Sequence, residues 1–281
     1  MQCCDGNGDT RADLRETGWA APANPTTRRA VADALADISL LQLVLVAVTA
    51  LFASVVGGVA GYGTGALMPL VLVPMVGAAP VVPIIAISAL FTNVSRAIAF
   101  YRFVDGRRAL LVTFIAGFTC VVGAYGYTLL NNRGALIVIG AMLALSVPLR
   151  RILKARSATL GDTGLGVSAA GYGLLTGGTT GSGVILVSLL LAAGLEGAAV
   201  VATDAVISIA MAVVKISMFG FSGIITPQVI ALALLIGVIA FPGAFLAKLL
   251  VEHLPVKVHT AMLDAVVLIG ALAMIAQAVR S

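Results

Sequence analysis

Charge is what this chain has least of. Lys, Arg, Asp and Glu together make up 10% of its 281 residues, against about 25% in soluble domains. Histidine occurs twice, tryptophan once and cysteine three times. Three cysteines, two of them adjacent at Cys3 and Cys4, exclude a disulfide framework and offer no metal-ligand spacing. The third, Cys120, lies in an apolar run and reads as a small packed hydrophobe rather than a reactive thiol. His253 and His259 flank one loop, and neither a Ser/His/Asp set nor a Walker A sequence accompanies them. The expectation is a protein that is not an enzyme, with no metal site, no cofactor and no nucleotide hydrolysis of its own.

What fills the chain instead is apolar sequence, 60% of all residues. A soluble interior of this size could not hide so much, and a bilayer is the solvent that fits. Runs such as Val81–Phe100, Ala109–Leu130 and Val229–Leu250 reach or approach the roughly 20 residues that span hydrocarbon. The net charge of +5 does not gather on a soluble face, so nucleic acid is not an expected partner. Arg102, Arg107 and Arg108 sit in one short break, and Arg150, Arg151, Lys154 and Arg156 in another. This is the positive-inside pattern, and it puts both breaks on the cytoplasmic side.

Residues 1–39 differ from the rest. Six acids, four arginines and two prolines without a basic segment leading into an apolar core do not form a secretory signal. They read as a polar, disordered cytoplasmic tail. From Leu40 onward the pattern predicts helices near 40–61, 81–102, 109–130, 134–150, 163–179, 197–219, 227–250 and 258–279, with short half-helices at 66–77 and 184–194. The fold class expected is all-α and integral to the membrane: about eight transmembrane helices plus two re-entrant half-helices.

The two halves, 40–156 and 157–281, can be laid over each other. Gly63 and Gly65 fall on Gly181 and Gly183 at a shift of 118, and Arg96 falls on Lys215 at 119. The chain therefore reads as an internal duplication of two transmembrane repeats. If the short segments are re-entrant, each half has four crossings and the repeats run parallel; if they cross, the repeats are inverted. The first arrangement is the one expected.

Tyr62-Gly63-Thr64-Gly65 and Thr180-Gly181-Ser182-Gly183 interrupt apolar sequence in both halves. A duplicated break of this kind is a pointer to a transporter's binding site. Unwound backbone inside a membrane must line a cavity, and a half-helix starting there aims free N–H groups and a positive dipole end into it. Such a site suits an anion, with Thr64, Thr179, Thr180 and Ser182 adding hydroxyls. Arg96 and Lys215 either face this pathway or snorkel to the interface. Asn93, opposite no charge, binds cargo or a neighbouring backbone. Asp204 shares a helix face with Lys215 and is a proton acceptor for coupling, a partner for a base on another helix, or a structural acceptor. Gly57-Gly58 and Gly171-x-Gly173 read as close helix packing.

At these residues the chain resembles the TauE/SafE sulfite-exporter family, also called toluene-sulfonate uptake permeases. The resemblance covers roughly 40–280 and rests on Gly57-Gly58-Val-Ala-Gly61-Tyr-Gly63-Thr-Gly65 running into Leu67-Met68-Pro69-Leu70, and on Gly177-Gly178-Thr-Thr-Gly181-Ser-Gly183 running into Val184. Asn93, the Asp105-Gly106-Arg107-Arg108 break and Ala202-Thr203-Asp204 complete it. Asp204 stands where a small polar residue is expected, and no proline in the second half matches Pro69. The resemblance implies a permease of the bacterial inner membrane for sulfite, sulfonates or related sulfur anions. Its partners are then a small anion, the lipid bilayer, a coupling proton or other ion and, in a homo-oligomer, a second copy of the chain. The alternative is a passive channel or carrier for another small solute such as acetate.

Overall fold

A computed structural model describes residues 39–60, 64–155 and 160–250, together with 268, 271–272 and 274–279. Among the described residues the regular structure is helical, without strands. The order is α1 (Leu40–Ala60), α2 (Thr64–Val76), α3 (Val81–Phe100), a 3-10 turn at Tyr101–Phe103, α4 (Gly106–Thr128), α5 (Asn132–Ala155), α6 (Asp162–Gly178), α7 (Gly183–Ala192), α8 (Ala198–Phe221), α9 (Pro227–Ala240) and α10 (Gly243–Leu250). The described residues within 268–279 are helical as well. The tail expected at 1–39 lies outside the described residues except for Ser39.

Among the described residues, five stretches are long and apolar enough to cross a membrane: Leu40–Gly57, Val81–Phe103, Gly106–Thr128, Ala198–Phe221 and Pro227–Ala247. The chain is thus a helical protein built for lipid. Along α4, Leu110, Phe114, Phe118, Val122 and Tyr125 are exposed, one every three or four residues. That stripe faces outward, where only hydrocarbon makes it stable. Local signals set the helix starts. Asp105 caps α4 by accepting from the Arg108 N–H at 3.1 Å, and Thr226 caps α9, with Pro227 at its first position.

The single helix expected at 227–250 is two. Pro242 has no N–H to continue the ladder, so α9 ends at Ala240 and α10 begins at Gly243. The freed carbonyls find partners: Ser54 Oγ donates to the Ala240 oxygen at 2.5 Å, and Ser95 Oγ to the Phe241 oxygen at 2.6 Å. The half-helices also start earlier than expected. Thr64 and Gly65 lie in the first turn of α2, not in unwound chain. Helix α5 continues to Ala155 rather than stopping at 150.

Contacts define two ends of the bundle. At the end carrying the basic loop, Arg107 pairs with Asp162 at 2.6 Å, the Asp105 N–H donates to Thr203 Oγ1, and the Leu160 N–H donates to the Ala192 oxygen at 2.7 Å. At the far end, Tyr127 OH donates to the Ala78 oxygen at 2.9 Å and its ring meets Phe219 edge-on. The start of α6 and the end of α7 therefore share the basic end, so this pair dips in and returns. Half-helix α2 instead runs to Gly77 at the far end. The two half-helices leave the centre in opposite directions, and the parallel arrangement expected of the halves is not what these contacts give. Segment length alone could not distinguish the two, because direction depends on which loops meet.

Asn132 holds the far end. Its Oδ1 accepts from the Ala78 N–H at 2.7 Å and the Ala79 N–H at 3.3 Å, tying the turn after α2 to the start of α5. Asn132→Ala strips both donors of their partner, at a cost of about 1–3 kcal/mol. A lower unfolding midpoint of the detergent-solubilised protein is expected. An unchanged midpoint would remove Asn132 from this role.

Candidate functional site

Small residues allow the centre to be built. Helix α6 lies against α4 with Gly173 facing Ala116 and Thr119, and Gly177 facing Cys120 and Ala124, backbone on backbone. These two glycines, four apart, are the small-residue pairing of membrane helices. Gly171, expected to share that role, has open space beside it. Cys120 is fully buried in this contact. After Gly178 the chain unwinds: Thr179 is extended, Gly181 takes a left-handed φ of 80°, and α7 opens at Gly183. A side chain is disfavoured at Gly181 on that ground. Gly65 approaches from α2 so closely that a Cβ on it would lie 2.9 Å from the Gly181 nitrogen.

Around this meeting point is a cavity with about 100 Å³ of room for the centres of water molecules, enough for several waters or one small oxyanion. Helix α3 lines it with Ile85, Ala89, Thr92, Asn93 and Arg96, and α8 with Ser208, Met211, Ala212 and Lys215. Both sets recur at helical spacing. Tyr172 and Thr176 of α6, the break from Thr179 to Gly183, Thr64 and Gly65 of α2, and Ser54 and Gly57 of α1 complete the wall.

The sequence-derived residues thus come together. Thr64, Gly65, Asn93, Arg96, Thr180, Gly181, Ser182, Gly183 and Lys215 all border the one cavity. Gly63 lies outside the described residues. Arg96 and Lys215 are 7% and 9% exposed, so neither snorkels to an interface. Asp204 sits behind the wall, fully buried, with Oδ2 at 2.8 Å from Arg96 Nη2. Of its three readings, partner to a base on another helix is the one the geometry contains. Asn93 does not stand apart from charge as expected: its Oδ1 accepts from the same Arg96 nitrogen.

Some polar atoms here have no hydrogen-bond partner among the described residues, Asp204 Oδ1 being one. Thr180 Oγ1 is buried and makes no hydrogen bond. Among the described residues, no hydrogen-bond or ion-pair partner stands beside the Lys215 ammonium. Ser182, the residue before α7, does not cap the helix, because its hydroxyl donates to Thr176 Oγ1 at 2.6 Å. The Ile185 N–H turns back to the Ser182 oxygen at 2.9 Å, and the two N–H groups before it, of Gly183 and Val184, are left for something else. The polar lining missed from sequence is Ser54, Thr92, Tyr172, Thr176 and Ser208. Their signal was spacing: Thr92 precedes Arg96 by one turn, Ser208 follows Asp204 by one, and Tyr172, Thr176 and Thr180 recur every fourth residue.

A sequence model of the family described as sulfite exporter TauE/SafE matches residues 46–274. Neither a curated protein nor a solved structure matches the chain.

Proposed function

The chain belongs to the TauE/SafE sulfite exporter family, and from that premise we propose that it is a secondary transporter of a small sulfur anion. Sulfite or a sulfonate is the cargo class, and the bacterial inner membrane is the site of action. The observation that carries this reading is Lys215. A buried ammonium without a counter-charge among the described residues is costly in a membrane, and an anion in the cavity it borders offsets that cost. The free N–H groups of α7, the start of α2, and the hydroxyls of Thr64, Thr180 and Ser182 supply further donors.

The same reading takes 40–156 and 157–281 as two copies of one unit. Each copy begins with a helix followed by a half-helix, α1 with α2 in the first and α6 with α7 in the second. The opposed directions of α2 and α7 support an inverted relation between the copies, as does the way α3 packs on α8 while Arg96 and Lys215 reach the same cavity. Movement of one copy against the other would expose the cavity to each side in turn.

Uptake of radiolabelled sulfite, and of a sulfonate, into proteoliposomes tests this directly. Gradient-driven accumulation of either is expected; no flux of either, with folded protein in the vesicles, overturns the cargo class. Asp204 is the proposed coupling group. A proton on its carboxyl would release Arg96 toward the cargo, so Asp204→Asn should transport with a rate that no longer follows an imposed pH gradient. Retained pH dependence in that variant ends the coupling role.

A further inference from the structure

We propose that Asp204 sets the valence of the anion, so that the cavity accepts a monoanion in preference to a dianion of the same shape. The inference rests on the anion-carrier reading and goes further by counting charge. Among the described residues, the ionic groups at the cavity are Arg96, Lys215 and Asp204. The rest of the polar lining is hydroxyl, amide or backbone. Asp204 lies 2.8 Å from Arg96 and cancels its charge, which leaves one net positive charge, on Lys215. A monoanion makes the loaded cavity neutral. A dianion leaves one negative charge unmatched in a buried site, where the Coulomb term is large.

The position of Asp204 also explains why it acts without touching cargo. It is fully buried behind Arg96, so it contributes charge and orientation but no surface. Arg96 is held on both sides, by Asp204 from α8 and by Asn93 from its own helix. The pair turns a two-cation cavity into a one-cation cavity while keeping the guanidinium as a donor. Asp204 is a specificity-determining residue in this sense.

Methanesulfonate and sulfate are the probes. Both present tetrahedral sulfur of nearly equal size, and they differ by one unit of charge. Proteoliposomes containing the full chain are assayed for uptake of each radiolabelled anion at one fixed neutral pH and without a pH gradient. The wild type should move methanesulfonate at least about tenfold faster than sulfate. Asp204→Asn, which takes one negative charge away from the Arg96 side of the cavity, should shift the ratio toward sulfate. The double variant Arg96→Gln with Asp204→Asn restores one net charge and should restore the preference for methanesulfonate. Should Asp204→Asn fail to fold, the wild-type ratio and the double variant still decide. Equal rates for the two anions in the wild type, or a ratio unchanged by Asp204→Asn, overturns the valence assignment alone. No uptake of either anion overturns the carrier reading, and the assignment with it.

Discussion

Gly177→Leu is expected to abolish recovery of folded protein. A Cβ at Gly177 would collide with the Cys120 carbonyl oxygen and the Ala124 nitrogen, both backbone atoms of α4. Side chains can rotate away from such a clash, but a helix backbone cannot. The neighbouring Gly173 faces the same wall at Ala116, so α6 cannot tilt about one glycine to relieve the other. Overpacking costs about 1–3 kcal/mol where some relaxation is available, and here a four-carbon side chain would have to separate two helices along their contact. Monodisperse yield on size exclusion after detergent extraction is the readout. Gly171→Ala provides the control, since open space lies beside it, and its yield should match the wild type. Normal yield from Gly177→Leu would mean that α4 and α6 do not meet in this way.

Lys215→Gln should separate stability from function. Charge-assisted hydrogen bonds contribute about 1.5–3 kcal/mol, so loss of the ammonium should slow anion transport by roughly tenfold to a hundredfold. The folded state should gain, because a buried cation without a partner among the described residues has been replaced by a neutral side chain. A higher unfolding midpoint together with a large loss of sulfite uptake is the expected pair of results. Lys215→Arg keeps the charge and should keep part of the rate. Wild-type transport by Lys215→Gln would remove the main support for an anion in the cavity. A lower midpoint would show that Lys215 has a structural counter-charge outside the described residues.

Much of the site could be read from the sequence because it is marked twice. The glycine breaks and the two intramembrane bases stand out against apolar surroundings, and each has a counterpart in the other half. The helices were legible for the same reason, since nothing but a membrane span suits such runs. What was not legible depends on contacts between distant segments. Asp204 shows its helix face by its spacing from Lys215, but its partner is decided only when α3 lies against α8. The direction of α7 is set by the meeting of Leu160 with Ala192, which spacing does not encode. The break after Ala240 did have a local signal, the Phe241-Pro242-Gly243 triplet, and its apolar surroundings masked it. Gly173 makes the close contact expected of it, and its partner at the small-residue spacing is Gly177, four residues on, rather than Gly171.

The contact between Gly65 and Gly181 has a consequence for how such a protein could diversify. Two main chains meet there without a side chain from either residue, so the junction offers nothing that substitution could tune by degrees. Any residue larger than glycine at position 65 must push α2 away from α7, and any at 181 must also adopt a left-handed backbone. The hydroxyl-bearing residues around the junction are under no such restriction. Thr64 and Ser208 can change while the two glycines stay as they are, and the buried Thr176 and Ser182, bonded to each other, would have to change together. Adaptation to a new cargo would therefore proceed on the rim of the cavity, around a hub that sequence drift cannot adjust.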